Sequence, residues 1–138
     1  MKVFLDTTAL VAYYNVRDEH NKEAAEIFEK IKNKEIPVAR MFTTDFIIDE
    51  SLTTILALTK RHDFAVKLGK SVLESAFVEK LWTSLNVFEE AWKLFQESSR
   101  QRYSFTDCVS FVHMKNLAIE TAFSFDKHFK MAGFNTIP

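Results

Sequence analysis

Nineteen acidic residues run through this sequence, and most read as solvated charges on helix faces, as Glu23, Glu26 and Glu29 do. Four stand apart by position. Asp6 directly follows the apolar stretch Val3-Phe4-Leu5, where a charge is costly unless it meets a cation or hydrogen bonds. Asp107 lies three residues after Ser104, Asp126 closes the run Ala122 to Phe125, and Glu50 sits on an otherwise largely apolar helical pattern. Each has a plainer role open to it. Asp6, Asp107 and Asp126 can cap helices, with Ser104-Phe105-Thr106-Asp107 as a capping-box variant, and Glu50 can be a surface charge beside Asp49. If the four are brought together, however, their charges repel, and hard divalent cations that favour oxygen ligands relieve the repulsion. Mg2+ or Mn2+ is then the expected ion.

Other site chemistries lack their motifs. His20, His62, His113 and His128 are far apart and show no ligand spacing, and with no HExxH pattern or cysteine pair zinc is not favoured. These histidines read as surface or structural residues, with His20 and His128 the two that can approach a substrate phosphate. The lone Cys108 excludes an internal disulfide, fits a reducing compartment and reads as a small buried hydrophobe. There is no serine nucleophile elbow, no GxGxxG and no phosphate-binding P-loop.

The elements that must position the acids follow from periodicity. Lys2 to Leu5 reads as a short buried strand, followed by a helix that Thr7 and Thr8 can cap and that runs through Leu10, Val11 and Tyr14. Ala24, Ile27, Phe28 and Ile31 mark a second helix, ending before Pro37. Val38 to Thr43 reads as extended, and Thr44 can cap a helix whose inner face holds Ile47, Ile48, Leu52, Ile55 and Leu56, with Glu50 in its second turn. Further helices are predicted over Phe64 to Leu73 and Val87 to Phe95, with a strand from Phe77 to Trp82 between them. Ser104 caps a helix carrying Val109, Val112 and Leu117. A strand over Ala122 to Phe125, a helical turn over Asp126 to Met131 and a strand over Phe134 to Ile137 complete the chain.

This alternation predicts an α/β fold, a three-layer α/β/α sandwich around a short central parallel sheet. Ligands of such sheets bind beyond the carboxyl ends of the strands, so the carboxylates at strand-to-helix junctions converge on one edge, where Glu50 can join them.

Composition bounds the rest. A 138-residue chain with 47% hydrophobic residues, two Gly and two Pro suits one compact domain over residues 1–138. The net charge of −1 offers no general basic surface, so any nucleic-acid contact must be local, from Arg17, Arg61, Arg100, Arg102, Lys127 or Lys130. Most of the fourteen Phe, among them Phe64, Phe77, Phe88, Phe95 and Phe111, are expected in the core, and any that form an exposed patch would mark a protein partner. Asp6 interrupts the opening apolar run too early for a secretory leader, and no stretch approaches the roughly 20 apolar residues of a membrane span. A soluble, cytoplasmic protein is expected.

Four segments together resemble the PIN domain, particularly its VapC-type toxins of prokaryotic toxin–antitoxin pairs, over the whole chain. Val3-Phe4-Leu5-Asp6-Thr7-Thr8-Ala9-Leu10 resembles the family's strand, Asp and Ser/Thr pair, and Asp18 with His20 its later Asp-x-x-His-like stretch. Thr43 to Glu50 resembles the segment that delivers the second acid. Tyr103-Ser104-Phe105-Thr106-Asp107 is similar to its Ser-Phe-x-Asp, and Ser124-Phe125-Asp126-Lys127-His128-Phe129, with Ala132-Gly133-Phe134, to its Thr-x-Asp-x-x-Phe ending, Ser124 standing where Thr is commoner.

The resemblance implies a Mg2+- or Mn2+-dependent endoribonuclease acting on single-stranded or loop RNA, with Asp6, Glu50, Asp107 and Asp126 as catalytic and metal-binding residues. It further implies that Thr7 or Thr8 and Ser124 support the carboxylates or the scissile phosphate, and that the protein is a homodimer with a small antitoxin partner. Two other readings share the fold: an interaction domain whose acidic pocket binds a cation without chemistry, and a DNA-directed structure-specific nuclease. The small size, without an added helical arch, favours RNA over the latter.

Overall fold

The computed structural model describes residues 1–138. In chain order the elements are β1 (Lys2–Leu5), α1 (Thr7–Tyr14), α2 (Asn21–Lys32), β2 (Arg40–Thr44), α3 (Asp45–Thr59), α4 (His62–Leu73), β3 (Val78–Leu81), α5 (Leu85–Glu97), α6 (Phe105–Asn116), β4 (Thr121–Phe123), α7 (His128–Met131) and β5 (Asn135–Ile137). The strands form one parallel sheet in the order β3-β2-β1-β4-β5, flanked by the helices in the expected α/β/α arrangement. β1 is central. Val3 is level with Met41 of β2 on one side and Thr121 of β4 on the other, so the carboxyl ends of the three strands lie side by side.

The central strand is apolar because it is covered on both faces: Val3, Phe4 and Leu5 are buried, as a middle strand of a parallel sheet requires. Phe4 meets Phe129 of α7, which in turn meets Phe111 of α6 edge-on at 5.2 Å. These rings tie α6 and α7 to the sheet and so fix where Asp107 and Asp126 sit. No helix is long and apolar enough to cross a membrane.

Three local differences from the sequence reading have physical reasons. The cap of α1 is Asp6, not a threonine: β1 ends at Leu5, so the last extended residue is Asp6 itself (φ −92°, ψ 159°) and its side chain accepts from Thr8 N. β4 stops at Phe123, so Asp126 lies three residues beyond the strand on a short connection. Of the phenylalanines assigned to the core, Phe111 is buried, whereas Phe77, Phe88 and Phe95 are about 40% exposed. The last two lie on α5, which buries only Ala91 and presents Leu85, Phe88, Trp92 and Phe95 at helical spacing on one face. The inner rim of this face leans on the first turn of α6, where Phe88 and Phe95 meet Phe105 at 5.0 and 6.0 Å.

Candidate active site

The carboxyl edge of β1 and β4 is held by hydroxyls. Asp6 Oδ2 accepts from Thr8 Oγ1 (2.7 Å), Ser124 Oγ (2.8 Å) and Thr8 N (3.3 Å). Thr8 Oγ1 also accepts from Phe125 N, and Ser124 Oγ from Asp126 N. One small network thus fixes Asp6 and the backbone that carries Asp126. Ser124 keeps the hydroxyl that this bonding needs.

Asp107 is positioned by its own helix. Ser104 Oγ accepts from Asp107 N (2.9 Å) while Asp107 Oδ2 accepts from Ser104 N (3.0 Å), a complete capping box. The same Oδ2 faces His128 Nδ1 at 2.9 Å. His128 in turn sits 3.4 Å from Asp126 Oδ1, which accepts from the His128 backbone N–H. One ligand atom each from Asp107, Asp126 and His128 lies within 4.8 Å of the others, a spacing that can surround a cation. With Nδ1 committed to Asp107, the imidazole serves the acids by holding two of them in place.

A common division runs through the three aspartates. In each, all protein donors converge on one oxygen: Oδ2 of Asp6, Oδ2 of Asp107 and Oδ1 of Asp126. The other oxygen takes no protein hydrogen bond. That of Asp6 also retains contact with solvent, because the side-chain atoms sealed without a partner are Thr7 Oγ1 and Ser51 Oγ. A carboxylate has room for several donors, so an oxygen left free on three fixed acids suits a hard cation. Capping and cation binding are therefore compatible in Asp107, one on each oxygen. Asp45 shows the contrast: Oδ1 accepts from Thr83 Oγ1 and Phe46 N, and Oδ2 from Thr83 N. With both oxygens used and Thr83 bridging on to buried His113, Asp45 is a tie between α3, α6 and the loop before α5.

Charge accumulates at this edge. Burial raises Asp6 from 3.8 to about 6 against the opposing pull of its Thr8 and Ser124 hydrogen bonds, and nearby Asp107 adds to the rise. Asp107 is raised as well, first by burial and then by the Asp126 charge. Acids placed where they resist ionisation are what a cation would relieve. Burial also pushes the Cys108 thiol up to about 11, which fits its reading as an unreactive core residue.

The remaining predicted residues are placed unevenly. Glu50 is half-buried beside Ser51 on α3, and no hydrogen bond or ion pair joins it to the three aspartates. Thr7 Oγ1 is buried without a partner, so of the adjacent threonines Thr8 is the one that supports Asp6. Among the candidate cations, Arg61 is paired with Asp63 at 2.7 Å, whereas Arg17, Arg100, Arg102, Lys127 and Lys130 form no ion pair. His128 is the residue that sequence reasoning undervalued. The available signal was its place two residues after Asp126, where a turn brings its backbone and ring back to the acid.

Comparison with known proteins adds an independent finding. The PIN domain family model matches residues 3–135. The 23S rRNA-specific endonuclease VapC20 of Mycobacterium tuberculosis is 27% identical over 132 residues, covering 96% of this chain and 95% of its own. A VapC ribonuclease of Archaeoglobus fulgidus is 25% identical over 132 residues, covering 95% of this chain and 81% of its own. The crystal structure of Mycobacterium tuberculosis VapC20, described as a sarcin-ricin loop cleaving toxin, is similar in fold, with a TM-score of 0.86 at 25% identity over 96% of this chain and 95% of that one.

Proposed function

The chain belongs to the PIN domain family, and from that premise we propose that it is a Mg2+- or Mn2+-dependent endoribonuclease of the VapC kind, cutting single-stranded or looped RNA as the toxin of a toxin–antitoxin pair. The observation that carries the reading is the divided use of the aspartates: Asp6, Asp107 and Asp126 are each fixed through one oxygen and free at the other. These three, with Glu50 in the second turn of α3, would hold the cation. A bound divalent ion supplies Lewis acidity, making water a better nucleophile at neutral pH and offsetting charge on the phosphodiester.

The chain's own residues do the positioning. Thr8 and Ser124 hold Asp6 and the Asp126 backbone, the capping box and His128 hold Asp107, and β1 and β4 keep the two groups in register. Glu50, with no protein partner, is free to orient water or join the cation. Unpaired Arg and Lys side chains near the edge meet the RNA backbone locally, as the net charge of −1 demands. A looped target accords with the RNA named for the Mycobacterium tuberculosis relative. Residues 1–138 act as one nuclease domain in the cytoplasm.

The test is incubation of purified protein with a structured RNA and the equivalent DNA, in Mg2+, in Mn2+ and in EDTA. Cleavage within RNA loops that needs either metal and disappears in EDTA is the expected result. Undiminished cutting in EDTA removes the mechanism, and cutting of DNA alone removes the substrate assignment.

The exposed face of α5 bears on partners. Leu85, Phe88, Trp92 and Phe95, with Trp82 at 68% exposure nearby, make an apolar surface of the sort that proteins cover by association. The proposed assembly is a symmetric homodimer that also binds a small antitoxin protein. Light scattering at tens of micromolar, a generous range for a standard-size interface, should give twice the monomer mass, and a monomer there rules the dimer out.

A further inference from the structure

We propose that the outer face of the His20 ring is a stacking site for one unpaired base of the RNA, beside the phosphate that is cut. The proposal rests on the ribonuclease reading and adds to it a contact that selects for a base free to leave its own stack. His20 ends the α1–α2 connection, and its backbone N donates to Asp18 Oδ1 at 2.8 Å, so a short Asp turn fixes its direction. The ring lies parallel to Phe125, with centroids 4.3 Å apart and planes within 7°. Phe125 stands between Ser124 and Asp126, its backbone N–H donates to the same Thr8 hydroxyl that holds Asp6, and its ring rests on Phe123 of β4. A tier of rings therefore rises from the sheet to the surface immediately next to the carboxylates, with His20 outermost.

What His20 can still offer is settled by its neighbours. Its Nε2 is 3.3 Å from Glu19 Oε1 and its Nδ1 is 3.8 Å from Glu23 Oε2. Both nitrogens thus face carboxylates, which would also repel a phosphate approaching the ring edge, so a phosphate contact, the other role open to a surface histidine, is disfavoured. One face is covered by Phe125. The side chain nevertheless remains 40% exposed, and with Phe125 stacked on one side a base would meet the ring on its opposite, flat aromatic face. Proteins read unpaired RNA by splaying bases onto such rings, and the contact tolerates any base because every base has a π-face.

The experiment uses an RNA hairpin that the parent protein cuts and the cleavage-impaired Asp107→Asn protein in Mg2+, with binding followed by fluorescence anisotropy. In that background His20→Ala should weaken binding about tenfold, His20→Phe should restore it, and His20→Lys should not. A scan of single abasic sites through the loop should find one position that weakens binding to the same degree and at which His20→Ala then has no added effect. Restoration by Lys instead of Phe would make the contact a phosphate contact and overturn the proposal. Equal weakening by Ala, Phe and Lys, or an Ala effect that persists at every abasic position, would make the ring a structural prop and overturn it as well. If His20→Ala fails to fold, as its thermal unfolding would reveal, the Phe and Lys variants with the abasic scan still decide. Failure of the parent to cut any RNA counts against the ribonuclease reading, whereas cutting with binding indifferent to His20 counts against the stacking site alone.

Discussion

In EDTA at neutral pH, Asp6→Asn should raise the unfolding temperature of the protein by roughly 10 °C, the shift expected of about 3 kcal/mol in a domain of this size. Burial holds the Asp6 carboxyl at about 6, against 3.8 in the unfolded chain. Ionising it inside the fold therefore costs about 1.4 kcal/mol per pH unit of that gap. Below pH 3.8 both folded and unfolded chains keep the proton and there is no penalty. Between 3.8 and about 6 the unfolded chain releases it first, so stability falls as pH rises, and above about 6 the penalty is complete. Asn removes the charge yet retains an oxygen to accept from Thr8 and Ser124. The variant should lack this decline across the window, and saturating Mg2+ should restore the parent selectively, by about 2.7 kcal/mol at a hundredfold excess over Kd. Thermal unfolding of both proteins from pH 4 to pH 7, with and without Mg2+, is the measurement. Earlier unfolding of Asp6→Asn at pH 7 would make the carboxylate a structural cap.

Asp107→Asn and Asp126→Asn should each lower RNA cleavage by a factor on the order of 10²–10³, the range for losing one pre-placed group that offsets developing charge. Neither should lower the stability of metal-free protein, because Asn preserves the accepting oxygen and relieves repulsion among the acids. Asp107→Ala separates the two roles of this residue. It should lose cleavage to a similar degree and also about 1 kcal/mol of stability, since the capping box with Ser104 is broken. Cleavage assays beside thermal unfolding in EDTA read both quantities. Retained cutting by the Asn variants would remove the catalytic assignment, and destabilisation of Asp107→Asn equal to that of Asp107→Ala would leave the cap as its only role.

Much of this arrangement was legible because local chemistry and global fold agree. The limits of β1 coincide with the apolar run before Asp6, and Thr44 and Ser104 cap the helices that their hydroxyls and following apolar spacing indicate. What resisted reading depends on separation in the chain. The pairing of His128 with Asp107 spans 21 residues, and that of Ser124 with Asp6 spans 118, distances over which no period carries information. The same holds for Asp45. Five residues before Glu50 and equally acidic, it differs only in meeting Thr83 and, through it, His113 in three dimensions. Periodicity marks α5 as amphipathic with equal ease whether its apolar face meets the core or water. Here one helix does both: Ala91 is buried and Val87 and Leu94 pack against the core, whereas Leu85 and Trp92 stay in water.

The bond between Asp6 and Ser124 also sets a schedule. Asp6 is made 118 residues before the serine that holds it, and the strand that aligns it and the histidine that steadies Asp107 also come only at residues 121 to 128. A chain emerging from the ribosome therefore carries Asp6, and later Asp107, before the arrangement that would let them act together can form. The candidate site cannot be complete in any nascent form that lacks these residues, so its assembly waits on the pairing of β4 with β1.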